Sequence, residues 1–277
     1  MAGHSKWNNI KHRKGAADAK RGKVFSKLAK LIMIAARSGG ANPSENLRLR
    51  YAIDRARAES MPKDSIDRAI KKGSGELEAE EVAELTYEGI LTGGLSVIIE
   101  AMTDNRNRTG GEIRNLLEKR GGSLSKANSV LWKFDRRGIL GVDAGEATED
   151  ELFDVAIEAG ADNIEAETEV DSNGDEKDVF HVFCRIEDFD TVRAKLQEHL
   201  LQKRGDGEKK WGEADDERPL FTRSEFVYLP QNPVALEKET TKKALDLIAD
   251  LEDHDDVQNV FSDIEISDDL LNELAAI

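Results

Sequence analysis

The chain has 277 residues, 39% hydrophobic and 35% charged, and its 40 Lys and Arg against 56 Asp and Glu give a formal net charge of −16, which taken alone argues against a nucleic-acid partner. That average hides an asymmetry, because residues 1–75 hold 10 Lys and 8 Arg against 6 acids, a net +12, and the remainder stands at −28. A single cysteine, Cys184, excludes a disulfide within the chain, and with 5 His it leaves no Cys/His cluster at zinc spacing.

The first stretch, Gly3-His4-Ser5-Lys6-Trp7-Asn8-Asn9-Ile10-Lys11-His12-Arg13-Lys14, is a basic arm with one aromatic, two imidazoles and several amides. Cations pair with phosphates and Trp7 can stack on a base, so the arm suits a nucleic-acid contact, and a solvated basic tail is the alternative. From Val24 to Ala36 apolar residues recur at three and four, and Lys20, Lys23, Lys27 and Lys30 follow one another at the same spacing. That predicts a helix with one apolar and one lysine stripe. Its apolar run from Leu31 to Ala36 is too short for a signal-peptide core or a membrane span, so a cytoplasmic protein without a membrane partner is expected. Asn42, Pro43 and Glu45 read as the cap, first-turn proline and capping-box acid of a second helix that buries Leu49, Ala52, Ile53 and Ala56. A third helix starts at Pro62, buries Ile66, Ala69 and Ile70, and stops at Gly73, which completes a small three-helix bundle.

In the acidic remainder, Leu95, Val97, Ile99 and Ala101 alternate as a strand, and Thr109 to Arg120 forms a helix stopped by Gly121 and Gly122. Strands follow at Ser129 to Leu140, Asn163 to Val170 and Val179 to Arg185, with helices from Thr148, boxed by Glu151, and from Phe189 to Arg204. After a Gly-rich, charged return at Gly205 to Arg218 come a strand at Glu225 to Leu229, a helix at Glu237 to Leu251 and a strand at Val257 to Ile266. The expected architecture is multi-domain α+β. An N-terminal three-helix bundle with its arm (1–77) precedes two ferredoxin-like α+β domains, one split between 78–130 and 222–277 and the other (131–205) inserted in it, with 206–221 as linker.

Three patterns outside the arm bear on function. Asp171, Asn173 and Asp175 begin like a calcium loop, but Glu176 and Val182 stand where that loop needs Gly and Glu, so Asn173-Gly174 reads as a hairpin turn. The acids Glu252, Asp253, Asp255 and Asp256 lie at a helix-to-strand turn and read as solvated surface. Arg106 and Arg108 precede a helix whose first amides are bared by Gly110 and Gly111, which suits either a site for a phosphate or an acidic partner or a capped turn whose arginines bridge domains.

Taken together, Gly3-His4-Ser5-Lys6-Trp7, Ile10-Lys11-His12-Arg13-Lys14, Phe25-Ser26-Lys27-Leu28, Gly39-Gly40-Ala41-Asn42-Pro43, Met61-Pro62-Lys63, Tyr87-Glu88-Gly89, Thr103 to Thr109 and Asp255 to Val260 resemble the YebC/PmpR family over nearly the whole chain. The resemblance implies three domains, the third inserted in the second. It also implies either a DNA-binding transcriptional regulator or a ribosome-associated factor that helps translation through difficult stretches such as consecutive prolines; mitochondrial relatives are translational activators of cytochrome oxidase. Stacking and charge serve DNA and RNA alike, so the target stays open between DNA and rRNA or the ribosome. The expected contacts are Lys6, Trp7, Lys11, His12, Arg13, Lys14, Lys20, Arg21, Lys23, Lys27, Lys30, Arg106 and Arg108. With no phosphate-cradling loop, nucleophile elbow or metal set in the sequence, no enzyme, cofactor, metal or small-molecule substrate is expected.

Overall fold

The lysine-striped segment folds as α1 (Ala17–Gly39), which packs on α2 (Leu47–Ala58) and α3 (Lys63–Ser74). The computed structural model describes residues 17–78, 80–170, 176–205, 220–267 and 270. Leu28, Ile32, Ala35 and Ala36 of α1 meet Leu49, Ala52, Ile53 and Ala56 of α2 and Ile66 and Ala69 of α3, the residues that the 3.6-residue spacing points inward. The cap of α2 differs from expectation. Asn46, not Asn42, accepts from Leu49 N at 3.0 Å, and its amide donates to Ala35 O and Gly40 O at 2.8 Å each. The helix can start only there, because Asn42 is spent on a turn, accepting from Ser44 N at 3.1 Å.

Gly73 is likewise not a stop. The helix runs to Ser74 and ends on left-handed Gly75, while a Cβ on Gly73 would lie 2.4 Å from Met33 O and 2.8 Å from Ala36 Cβ. Gly73 lets α3 approach α1 at backbone distance. Gly73→Ala should therefore destabilise the protein despite alanine's better helix propensity, by about 1–3 kcal/mol in denaturant unfolding, as overpacking usually does. An unchanged midpoint would mean that the helices can part at no cost.

The rest of the chain runs β1 (Ala83–Ile90), β2 (Ser96–Thr103), α4 (Arg106–Lys119), β3 (Ser123–Leu124), a 3-10 turn at Leu131–Lys133, β4 (Phe134–Asp143), α5 (Glu149–Glu158), β5 (Ala161–Val170), β6 (Glu176–Cys184), α6 (Phe189–Arg204), β7 (Arg223–Pro230), β8 (Val234–Ala235), α7 (Lys238–Glu252), β9 (Val257–Ser262) and β10 (Ile264–Glu265). One sheet has the order β3-β1-β2-β9, with α4 and α7 over a core of Val97, Ile99, Ile113, Leu117, Leu245, Ile248 and Val260. The other has the order β5-β6-β4-β7, with α5 and α6 over Leu140, Leu152, Val182, Phe189 and Leu196. The expected hairpin turn at Asn173-Gly174 lies outside the described residues; on either side of it β5 and β6 pair with Val170 opposite Glu176.

The strand at 223–230, grouped from sequence with 78–130 and the C-terminal segment, belongs instead to the inserted sheet. It pairs antiparallel with β4, from Phe134 opposite Pro230 to Gly141 opposite Arg223. With it, β4-α5-β5-β6-α6-β7 is a complete ferredoxin-like unit. The split domain takes its fourth strand from β1, which alternation does not mark, joined to β2 through Gly93 and Gly94, both at positive φ. Apolar alternation identifies a strand but not its neighbour. Here the neighbour is set by Phe189, whose ring occupies the space a Cβ on Gly138 of β4 would fill and lies 4.9 Å from the Phe226 ring of β7. Between the two sheets, Ile98 and Val130 share a cluster with Phe134, Tyr228 and Phe261.

Candidate nucleic-acid interface

Of the expected contacts, Lys6, Trp7, Lys11, His12, Arg13 and Lys14 lie outside the described residues, and Lys20 is described only as a residue of α1. Arg21 is exposed on α1. The next three lysines of the stripe do not face solvent alone. Lys23 Nζ donates to Asp253 O at 3.0 Å and to its carboxylate at 2.9 Å, Lys27 Nζ to Glu252 O at 2.6 Å, and Lys30 Nζ to Asp255 O at 3.2 Å and Asp256 Oδ1 at 2.6 Å. Those carbonyls lie at and just beyond the C-terminus of α7, where a helix leaves acceptors unsatisfied and its dipole is negative. The stripe caps α7 and neutralises the acids that follow it.

The acidic turn is therefore not solvated surface throughout, as its sequence suggests. Asp253 and Asp255 remain exposed, but the Asp256 side chain is 4% exposed and receives four donors. Besides Lys30 these are Thr109 Oγ1 at 2.7 Å, Arg108 at 2.8 Å and Thr103 Oγ1 at 3.1 Å. Burial opposes charge on Asp256, yet the Lys30, Thr109 and Arg108 hydrogen bonds hold its carboxyl well below the usual range.

Arg108, expected as a phosphate ligand or a bridge between domains, forms ion pairs within the split domain. It pairs with Asp104 and Asp256 at 2.8 Å each, and Asn105 caps α4 by accepting from Arg108 N at 3.1 Å. The guanidinium is held charged first by the Asp256 hydrogen bond and then by that to Asp104. Arg106 is exposed, with its carbonyl 3.5 Å from the Tyr87 hydroxyl. A cleft of about 1260 Å3 opens beside these groups, lined by both signs of charge, among them Lys23, Lys72 and Arg108 against Glu80, Asp104 and Asp255. Glu112, His254 and Asp256 bring ligand atoms within 4.8 Å of one another, but His254 Nδ1 accepts from Asp256 N, His254 Nε2 meets Glu112 at 3.0 Å, and the Asp256 oxygens hold cations and hydroxyls. That is a filled hydrogen-bond cluster rather than a cation site.

The same pairing recurs along the bundle. Arg37 meets Glu81 at 2.8 Å, Arg48 meets Glu84, and Arg55 reaches Glu225 of β7 at 2.6 Å. Asp54 pairs in the opposite sense with buried Arg193 of α6, whose guanidinium stacks 4.8 Å from the Tyr51 ring. Part of the +12 against −28 asymmetry is thus internal docking. None of these partners is legible in the sequence, because charges that meet across 36 to 230 residues leave no local pattern.

On the inserted sheet His181, 1% exposed, lies 2.9 Å from Glu169 and 3.5 Å from Glu167. Burial opposes its charge, but the hydrogen bonds to the two glutamates outweigh it and raise its pKa. The stabilisation from charged His181 is then complete below its ordinary value of about 6.5 and is lost as pH rises through the raised value. Urea unfolding of the parent should weaken from neutral to mildly alkaline pH, and His181→Gln should lack that component; parallel pH profiles would show that His181 does not titrate there. Burial pushes the Cys184 thiol up to about 12, so it is no nucleophile at neutral pH.

Comparison with known proteins agrees with this architecture. Residues 5–76 match the profile of the TACO1/YebC protein N-terminal domain, and 82–211 with 213–264 match that of the TACO1/YebC second and third domain. A relative from Maridesulfovibrio salexigens, named a probable transcriptional regulatory protein, is 43% identical over 274 residues, covering 99% of both chains. Another of that name from Desulfatibacillum aliphaticivorans is 44% identical over 274 residues, covering 99% of this chain and 100% of its own. The crystal structure of Aq1575, a conserved hypothetical protein from Aquifex aeolicus, superposes with a TM-score of 0.75 at 38% identity, covering 94% of this chain and 96% of that one. With a helical bundle, a split α+β domain and a complete α+β unit within it all matched in order, the chain belongs to the TACO1/YebC family.

Proposed function

We propose that the protein is a non-enzymatic regulator of gene expression that binds nucleic acid through its N-terminal arm, as a DNA-binding transcriptional regulator. The observation that carries this reading is the arm itself: Lys6, Lys11, Arg13 and Lys14 around Trp7, joined to the helix that carries Lys20 and exposed Arg21. The names of the relatives support a regulatory role. No described helix is long and apolar enough to cross a membrane.

A second reading, an rRNA-binding translation factor at the ribosome, rests on the same arm, whose charge and Trp7 serve RNA as well as DNA; the α1 lysines at 23, 27 and 30 face the acidic turn and are withheld from either target alike. Replacing Lys6, Lys11, Arg13 and Lys14 by Gln should weaken binding of the full chain and flatten the slope of log K against log salt by about 0.7–0.9 for each phosphate no longer neutralised. Parent-like affinity and slope would rule out the arm. Ribosome sedimentation compared with DNA crosslinking from the same cells separates the two targets.

A further inference from the structure

The segment between β3 and β4 carries chemistry that neither the arm nor the bundle explains. Trp132 is 68% exposed, more than any other large hydrophobic residue among those described. Its one polar atom is already satisfied, Nε1 donating to Ser129 O at 3.0 Å, so the ring offers water an apolar face and needs no further partner. The segment beneath it is firmly held. The buried Glu88 carboxylate accepts from Asn128 N at 2.5 Å, Val130 N at 2.7 Å and Leu131 N at 2.9 Å. Asn128 is kept at φ 63, a conformation that costs free energy unless its surroundings impose it. On either side of the ring Val130 and Phe134 are buried, and Gln231 N donates to Lys133 O at 2.9 Å. An exposed tryptophan on so fixed a base is presented, not left over.

Its electrostatic setting differs from the rest of the acidic body. From 119 to 137 the chain carries Lys119, Arg120, Lys126, Lys133, Arg136 and Arg137 against the single acid Asp135. Arg120 and Arg137 are paired with Asp250 and Asp162. Lys126 is exposed in the same segment, whereas Lys133 Nζ, 5.9 Å from the centroid of the Trp132 ring, donates to Ser96 Oγ at 2.8 Å and lies 4.0 Å from the buried Asp263 carboxylate. A flat aromatic face on a basic segment that also exposes a lysine matches an unpaired base and its phosphates, since every base has a π-face and every linkage a negative charge.

We propose that Trp132 is a stacking platform for an unpaired nucleobase of a single-stranded nucleic acid, with exposed Lys126 of the same segment meeting the phosphates. This rests on the nucleic-acid reading and adds a second contact point at the junction of the two α+β domains, remote in sequence from the arm. The platform fits single strands better than duplex, because a paired base has no free face to offer.

The test is fluorescence anisotropy with the full chain, labelled oligo-uridine and oligo-thymidine as probes, and a duplex of mixed sequence as control. Trp132→Ala should weaken single-strand binding by about tenfold or more and Trp132→Phe by much less, with the salt slope unchanged in both because the charge is the same. Duplex binding should hardly move, and thermal melting should stay as in the parent because the ring is exposed. If the parent binds in a salt-dependent way and Trp132→Ala binds single strands equally well, the platform is overturned while the arm reading stands; a protein surface as occupant would give that result. If Trp132→Ala lowers melting and Trp132→Phe fails to restore binding, the ring is a packing element and the proposal is overturned. If the parent binds none of the probes at any salt concentration, the nucleic-acid reading fails and the platform with it.

Discussion

Replacing Asp256 by alanine should cost more stability than any other single surface-to-core change where the bundle meets the acidic turn, about 3 kcal/mol in denaturant unfolding. Removing one partner of a buried ion pair usually costs about 3–5 kcal/mol because the other is left uncompensated; the lower end applies since Lys30 and Arg108 still reach water. Thr103 and Thr109, both buried, would be deprived of their shared acceptor as well. Asp256→Asn keeps the shape but not the charge and should lose part of the same stability. The pH dependence follows from the direction of the shift. A carboxyl held below its ordinary value of about 3.9 contributes stability that is present above that pH and is lost as the pH falls through the lowered folded value. Asp256→Asn should therefore unfold less steeply with acid than the parent. Parent-like unfolding of Asp256→Ala at neutral pH would mean that the turn and the lysine stripe touch without supporting each other. Lys30→Gln should reproduce a smaller share of the loss, so any fall in nucleic-acid binding by stripe variants must be read beside their melting curves.

A fragment of residues 131–205 should fail to fold, whereas one of residues 131–231 should unfold cooperatively. The shorter fragment keeps β4, β5, β6, α5 and α6 but lacks β7, leaving the β4 edge open along eight residue pairs from Phe134 to Gly141. Phe221 and Val227, both buried, are missing from it too, as is Phe226, which packs on Phe189. Leaving that much apolar surface uncovered exceeds the marginal stability typical of so short a unit. Circular dichroism and thermal melting decide it, and a cooperative transition in 131–205 would mean that β7 is dispensable to the folding of that unit.

The helices and most strands are legible in the sequence because their signals are local. Val24 to Ala36 repeats at three and four, Thr148 and Glu151 form the capping box in full, and Leu245, Ile248 and Leu251 are buried on α7 as spaced. Sequence and structure part where two local signals compete. Asn42-Pro43 outranks Asn46 as a cap, and Gly73 looks like a stop although its hydrogen serves a helix contact, because a glycine of either use reads the same in sequence. The candidate site is legible in kind but not in use: the stripe, the two arginines and the acidic turn are each visible, yet their meeting is not. Glu88, on a strand that alternation misses, gives no signal at all for the three amides it holds.

By itself the sequence determined the class of each segment, the charge asymmetry, the absence of an internal disulfide and, through its spaced motifs, the family. These depend on neighbours within a turn or a strand, where propensity and periodicity act directly. The tertiary structure alone decided which strand neighbours which, that Lys23, Lys27 and Lys30 cap α7 rather than stand free, that Asp256 is buried, and that Trp132 is exposed on a fixed segment. Each is a matter of distance between residues far apart in sequence, and a charge or an aromatic ring carries no mark of whether it will meet water, a phosphate or another part of its own chain until the fold places its partners.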